Sequence, residues 1–164
     1  MIEYYSISPW TNRLIVSTIL GIVIIIGAIV FLCYLYTNHS KSLFFAISCI
    51  ISICLLVITL LVTLLLMPRG VSKTEKGLTV HLLAKNIHIP ADEIVSVEAY
   101  PMDEKTIRVF GSGGVFGYIG VFSNDKVGEF VCYATDWSNS YIVRRRNKRP
   151  IVITIGNPRI LKNI

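Results

Sequence analysis

The chain has 164 residues, 53% of them hydrophobic, with 16 Lys and Arg against 10 Asp and Glu and a formal net charge of +6; its mean hydropathy is +0.63. A water-soluble domain of this size carries less apolar content, which excludes one globular core as the destination of all these side chains. The excess lies ahead of Pro68, and the remainder alternates polar and apolar residues in the ordinary way, so two solvents are implied.

Tyr4, Tyr5 and Trp10 lead into the first apolar run, which extends from Leu14 to Tyr36, 23 residues without a formal charge. A second run, Leu43 to Met67, supplies 25. Roughly 20 residues cross the hydrocarbon at about 1.5 Å each, so either run predicts a membrane span. A cleaved signal peptide is the poorer reading of the first run, which is long for one, lacks a small-residue cleavage site and is followed by a second span. The connection Thr37 to Ser42 is short and polar and predicts an antiparallel hairpin with both chain ends on one side. Arg13 before the first span and Arg69, Lys73 and Lys76 after the second, against Lys41 between them, predict cytoplasmic termini and a multi-pass protein of the inner membrane. Tyr4, Tyr5, Trp10, Tyr34 and Tyr36 suit the two interfaces. Gly21, Gly27, Ala28, Ser48 and Ser52 permit close helix packing, and the Ser48/Ser52 spacing reads as ordinary hairpin packing ahead of a dimer seam. Neither run holds an ionisable Asp, Glu, Lys, Arg or His, which argues against a channel or pump.

Cysteine adds no site. Cys33, Cys49 and Cys54 fall in the spans and Cys132 in a predicted strand, with no C-x-x-C pair and no zinc spacing. They read as small hydrophobes.

Pro68-Arg69-Gly70 stops the second helix, and the rest is sized for one compact β domain, which divides the chain into a hairpin at 1–68 (spans 14–36 and 43–67) and a domain at 69–164. Leu78 to Leu82 and Asn86 to Ile89 alternate and predict a β-hairpin turning at Ala84-Lys85, with Leu82 facing Ile87, Val80 facing Ile89 and His81 opposite His88. Further strands are predicted at Ile94 to Tyr100, Thr106 to Phe110, Ile119 to Phe122, Glu129 to Thr135, Tyr141 to Arg144 and Ile151 to Ile155. Seven or eight short strands predict a sandwich or partly open barrel rather than a βαβ fold. Asn157 to Ile164 allows only a short terminal helix.

Ile87-His88-Ile89-Pro90-Ala91-Asp92-Glu93-Ile94-Val95-Ser96-Val97, the run Arg108 to Gly120 (RVFGSGGVFGYIG), Tyr133-Ala134-Thr135 and Ile151-Val152-Ile153-Thr154 together resemble bacterial pleckstrin-homology-like domains of small membrane-anchored proteins. The resemblance covers Val71 to Ile164, and its Gly/aromatic stretch is the most specific part. It implies an α+β membrane protein: a transmembrane hairpin, then a bent antiparallel sandwich closed at one end by a short C-terminal helix. It also implies a binding or scaffolding role with no catalytic motif. The phosphoinositide pattern of eukaryotic relatives does not carry over, because the first hairpin loop offers only Lys85.

Three features invite a site. The glycines from Gly111 to Gly120 do not form a phosphate loop: no G-x-G-x-x-G register holds, no Gly-Lys-Ser/Thr follows, and no helix pattern begins there. A bent loop carrying Phe116 and Tyr118 is the better account, and these two are the candidate partner-binding residues. The run Arg144, Arg145, Arg146, Lys148, Arg149 supplies five of the 14 cations from Arg69 onward, against nine acids; it reads either as an anionic-lipid contact or as a solvated turn. Nucleic-acid binding lacks a reading motif. His81 and His88 lack a third ligand for zinc, and the acidic pairs Asp92-Glu93 and Asp103-Glu104 suit turns. The expectation is a membrane-anchored, non-catalytic module without cofactor or metal. Its domain engages a protein partner or a second copy at the inner leaflet, or alternatively senses anionic lipid through Arg144 to Arg149.

Overall fold

The computed structural model describes residues 4–39, 42–103 and 105–161. A short strand β1 (Tyr4–Ile7) is followed by two long helices, α1 (Asn12–His39) and α2 (Leu43–Leu65). At about 1.5 Å per residue they run roughly 42 and 35 Å, and they cover the two apolar runs of the sequence. Thr11 caps α1: its hydroxyl oxygen accepts the Leu14 N–H at 3.3 Å, a donor the first turn leaves free. Pro68 ends the α2 direction, as expected of a residue with no N–H to continue a helix. Ser40 and Lys41 of the predicted connection lie outside the described residues, as does Glu104. The most apolar stretch of each helix has a mean hydropathy of 3.0; both helices are long and apolar enough to cross a membrane, and only 11% and 6% of those stretches are covered by the rest of the chain. A soluble core helix would have those faces packed.

After α2 come β2 (Pro68–Thr74), β3 (Gly77–Leu82), β4 (Asn86–Pro90), β5 (Ile94–Ala99), β6 (Ile107–Gly113), β7 (Tyr118–Asn124), β8 (Gly128–Ala134), β9 (Ser140–Arg145) and β10 (Lys148–Thr154). They form a four-stranded sheet, β1-β2-β3-β4, and a six-stranded sheet, β5-β9-β10-β8-β7-β6. The sheets are not closed into a barrel, and the α+β architecture agrees with the expected pleckstrin-like sandwich.

Three local expectations change. The six-stranded sheet is mixed: β10 pairs antiparallel with β9 but parallel with β8, Ile151 opposite Val131 and Val152 opposite Cys132. The link from β8 to β9 is held by Thr154, whose hydroxyl oxygen accepts the N–H groups of Thr135 and Asp136, both at 3.0 Å. That leaves one strand's width between β8 and β9, which β10 fills. Second, Tyr4 and Tyr5 belong to β1, in register with Lys73 and Ser72 of β2, so residues ahead of α1 join the sheet that begins at Pro68. Third, the β3–β4 hairpin keeps its expected parity but slips by two residues, because Leu82 N–H closes the turn on the Lys85 carbonyl at 2.9 Å. Val80 therefore faces Ile87, Leu78 faces Ile89, and His81 sits opposite Asn86 rather than His88. The short terminal helix is present among the described residues as a 3-10 turn, Pro158–Leu161, with Ile160 buried in the core.

Two apolar layers result. Val71, Leu78, Val80 and Ile89 pack between the sheets against Val143, Ile151 and Ile153. Phe122, Phe130, Cys132, Ile142 and Val152 fill the other face of the six-stranded sheet under Met102. Neighbouring residues of β9 and β10 thus enter different cores, which is why Ile151 to Thr154 are all buried.

Candidate functional site

Both helices meet the sheets at one end. Ser8 donates its hydroxyl to the Thr154 carbonyl at 3.0 Å and its N–H to the Arg69 carbonyl at 3.1 Å. Thr135 donates to the Pro9 carbonyl at 2.7 Å. At the exit of α2, the N–H groups of Leu83 and Ala84 in the β3–β4 turn bond the carbonyls of Met67 and Leu65, both at 3.0 Å. The start of α1, the start of β2, the end of β8 and the end of β10 are therefore gathered together.

The Gly-rich connection between β6 and β7 lies at this same end and reaches onto α1. Ser17 and Thr18 donate to the Gly114 carbonyl at 2.7 and 3.1 Å, and Phe116 N–H donates to the Thr18 hydroxyl oxygen at 3.1 Å. One turn further along α1, a Cβ on Gly21 would stand 2.6 Å from Val115 Cγ2, so only a hydrogen fits between them. Leu14 and Thr18 are buried, at 0% and 5% exposure. Phe116 itself has φ of 59°, a region bulky residues rarely occupy, and its bond to Thr18 helps hold it there. Gly111 and Gly120 face each other at the base of the hairpin, where a Cβ on either would run into the opposite backbone.

The two predicted partner-binding residues are thus both engaged within the chain. Phe116 is half-buried beside α1, and Tyr118 packs edge-on against Trp137 with ring centroids 5.2 Å apart. Burial raises the Tyr118 pKa, partly opposed by the nearby Arg13 cation. The Trp137 indole N–H is buried with no acceptor among the described residues, so ring packing alone holds the pair.

The basic run forms the turn between β9 and β10 at the opposite end of the sheet, about 20 Å away along seven-residue β10. Its cations are largely answered locally. Lys148 pairs with Glu93 at 2.6 Å, Arg149 with Glu129 at 3.0 Å and Arg144 with Glu98 at 3.7 Å. Arg145 donates to the Arg149 carbonyl at 2.6 and 3.0 Å. Asn147 takes the left-handed turn position with φ of 56°. Arg146 is exposed in the turn.

His81 bonds Ser72 at 2.8 Å and Asn86 at 3.0 Å, and His88 bonds Thr79 at 3.1 Å. Among the described residues no three His, Cys, Asp or Glu groups converge on a metal position. The cysteines are free thiols; burial pushes the Cys132 thiol far up and keeps it protonated.

Two features were not anticipated from the sequence. Ser17, Thr18 and Gly21 form the face of α1 that receives the loop, and their signal was three small residues, two of them polar, early in an otherwise aliphatic run. The other is β6, the last strand of the larger sheet, where Ile107, Val109 and Phe110 are 63%, 54% and 78% exposed.

A family model described as bacterial PH domain matches residues 69–163. No curated protein and no solved structure matches the chain.

Proposed function

The chain belongs to the bacterial PH domain family, and from that premise we propose that it is a membrane-anchored binding module whose PH domain captures an extended segment of another membrane-held protein. Domains of this family are generally non-catalytic binding modules. In this reading α1 and α2 form a transmembrane hairpin in the inner membrane, with both termini and the domain, residues 69–164, on the cytoplasmic side. The Lys/Arg bias supports that orientation. Tethering raises the local concentration of domain and partner, so a modest interface suffices.

The observation that carries the proposal is the free edge of β6. Its outer backbone groups have no strand partner among the described residues, and Ile107, Val109 and Phe110 stand exposed along it. An edge of this kind is a template for strand addition, in which main-chain bonds give affinity and side-chain contacts give specificity. The β6–β7 hairpin runs up α1, so two copies held the same way up in one bilayer present parallel β6 edges, which favours a different polypeptide as occupant over an antiparallel β6-to-β6 pair.

A photo-crosslinking residue placed at Val109 or Phe110 in the full chain, in native membranes, is expected to give one discrete adduct that Ile107→Lys reduces. An adduct with the mass of two copies assigns the edge to self-association; the absence of any adduct at both positions overturns the reading. The alternative, the basic turn as a lipid reader, is the weaker reading: the turn stands at the far end from the helices, and three of its five cations, Arg144, Lys148 and Arg149, face Glu98, Glu93 and Glu129.

A further inference from the structure

We infer that the tip of the β6–β7 hairpin, Gly113 to Gly117, is a membrane wedge that lies among lipid acyl chains beside the first helix. The inference rests on the reading of α1 as a membrane span.

Contacts climb the hairpin and the helix in step. Arg13 acts electrostatically on Tyr118, the first residue of β7 just below the tip. Thr18 bonds Gly114 and Phe116, and Gly21 receives Val115 at the tip. From Arg13 to Gly21 is about 12 Å along a helix axis. Over those same turns Ile15, Val16, Ile19 and Leu20 are 40%, 55%, 55% and 56% exposed. A bilayer that covers them reaches the tip on the same helix. The depth agrees with that of elements embedded at the boundary between headgroups and chains.

Most of the tip's backbone groups are satisfied by the chain itself. Gly114 N–H bonds the Gly117 carbonyl at 3.2 Å, and the Gly114 carbonyl takes two helix hydroxyls. The Val115 N–H donates to the Ser112 hydroxyl oxygen at 3.1 Å, and the Val115 carbonyl accepts from that hydroxyl at 2.8 Å. The Phe116 N–H is taken by Thr18. A loop in water needs no such provision, whereas irregular backbone at membrane depth survives only where protein satisfies it.

Charge placement agrees. Val109 to Asn124 contains no Asp, Glu, Lys, Arg or His. The flanking Arg108 folds its guanidinium toward Gly113, at the edge of the tip, where with Arg13 it can stay at the phosphate level while Gly114 to Phe116 go deeper.

The test uses the full chain in vesicles of phosphatidylethanolamine and phosphatidylglycerol, in a background carrying Cys33→Ala, Cys49→Ala, Cys54→Ala and Cys132→Ala. A nitroxide is attached in turn to Val115→Cys, Phe116→Cys, Ile24→Cys and Asn147→Cys. Collision with molecular oxygen, which partitions into lipid, is compared with collision with a water-soluble nickel chelate. The expected result is that labels at 115 and 116 resemble Ile24, favouring oxygen, while Asn147 favours nickel. Two positions are used so that one that disturbs the loop does not decide the outcome. Nickel-accessible labels at 115 and 116 with a protected Ile24 overturn the wedge and leave the span intact; a nickel-accessible Ile24 overturns both.

Discussion

Thr18 and Phe116, 98 residues apart, are joined by a 3.1 Å hydrogen bond from the Phe116 N–H to the Thr18 hydroxyl, which in turn donates to the Gly114 carbonyl. One buried side chain therefore fixes two backbone groups of the hairpin to the helix. Thr18→Val keeps the shape and removes both bonds. It is expected to cost about 1–3 kcal/mol, the usual penalty for stranding buried polar groups, with Thr18→Ser close to the parent. Denaturant unfolding in detergent, read at Trp137, checks this.

Gly21 admits Val115 because it has no side chain. Gly21→Leu is expected to push the hairpin tip off the helix and increase protease cleavage between Gly113 and Gly117. Val115→Ala in the same chain should recover part of the loss, and a double-mutant cycle should show coupling of roughly 0.5–3 kcal/mol, as for residues in contact. Strictly additive losses would mean that the two positions do not touch.

Alkaline pH should unfold the sheets before it affects the helices. Burial raises the pKa of Tyr133 and of Cys132 in β8, so both stay protonated when folded at a pH where the unfolded chain ionises. The unfolded state then binds fewer protons, and stability falls as pH rises above the ordinary thiol and phenol values of about 8.5 and 10. These two groups contribute no such loss below about pH 7. Loss of near-ultraviolet circular dichroism between about pH 9 and 12, shifted upward in Cys132→Val, is the expected observation.

The basic turn is expected to be dispensable for both stability and membrane retention. Lys148→Gln and Arg149→Gln break the pairs with Glu93 and Glu129, where the side chains of Lys148 and Arg149 are 53% and 58% exposed. Exposed pairs are worth about 0–1 kcal/mol and less in salt. Carbonate-washed membranes should retain the double variant as they do the parent, and a release into the wash would return the turn to consideration as a lipid contact.

Much of the architecture was legible locally. The aliphatic runs from Leu14 and from Leu43 announce helices of spanning length because almost every residue along them is apolar. Alternation in Leu78 to Leu82 and Asn86 to Ile89 identifies which side chains point inward, and that parity survived a two-residue slip in register. The slip itself was not legible, since it depends on the Leu82 and Lys85 backbone groups that close the turn. Nor was β1: Tyr4-Tyr5-Ser6-Ile7 is too short to signal a strand until β2 offers it an edge.

The sequence by itself determined the two apolar helices, the β character of the chain beyond Pro68 and the resemblance of Val71 to Ile164 to PH-like domains. Each of these is carried by residues within short stretches, where neighbours in the chain supply the signal. Only the tertiary structure decided that β10 slots parallel beside β8, that Arg144, Lys148 and Arg149 face Glu98, Glu93 and Glu129, and that the Gly-rich loop closes on Ser17, Thr18 and Gly21. Those relations join residues far apart in the chain. A pattern of polar and apolar residues states which face of an element seeks cover, and three-dimensional packing settles what provides it.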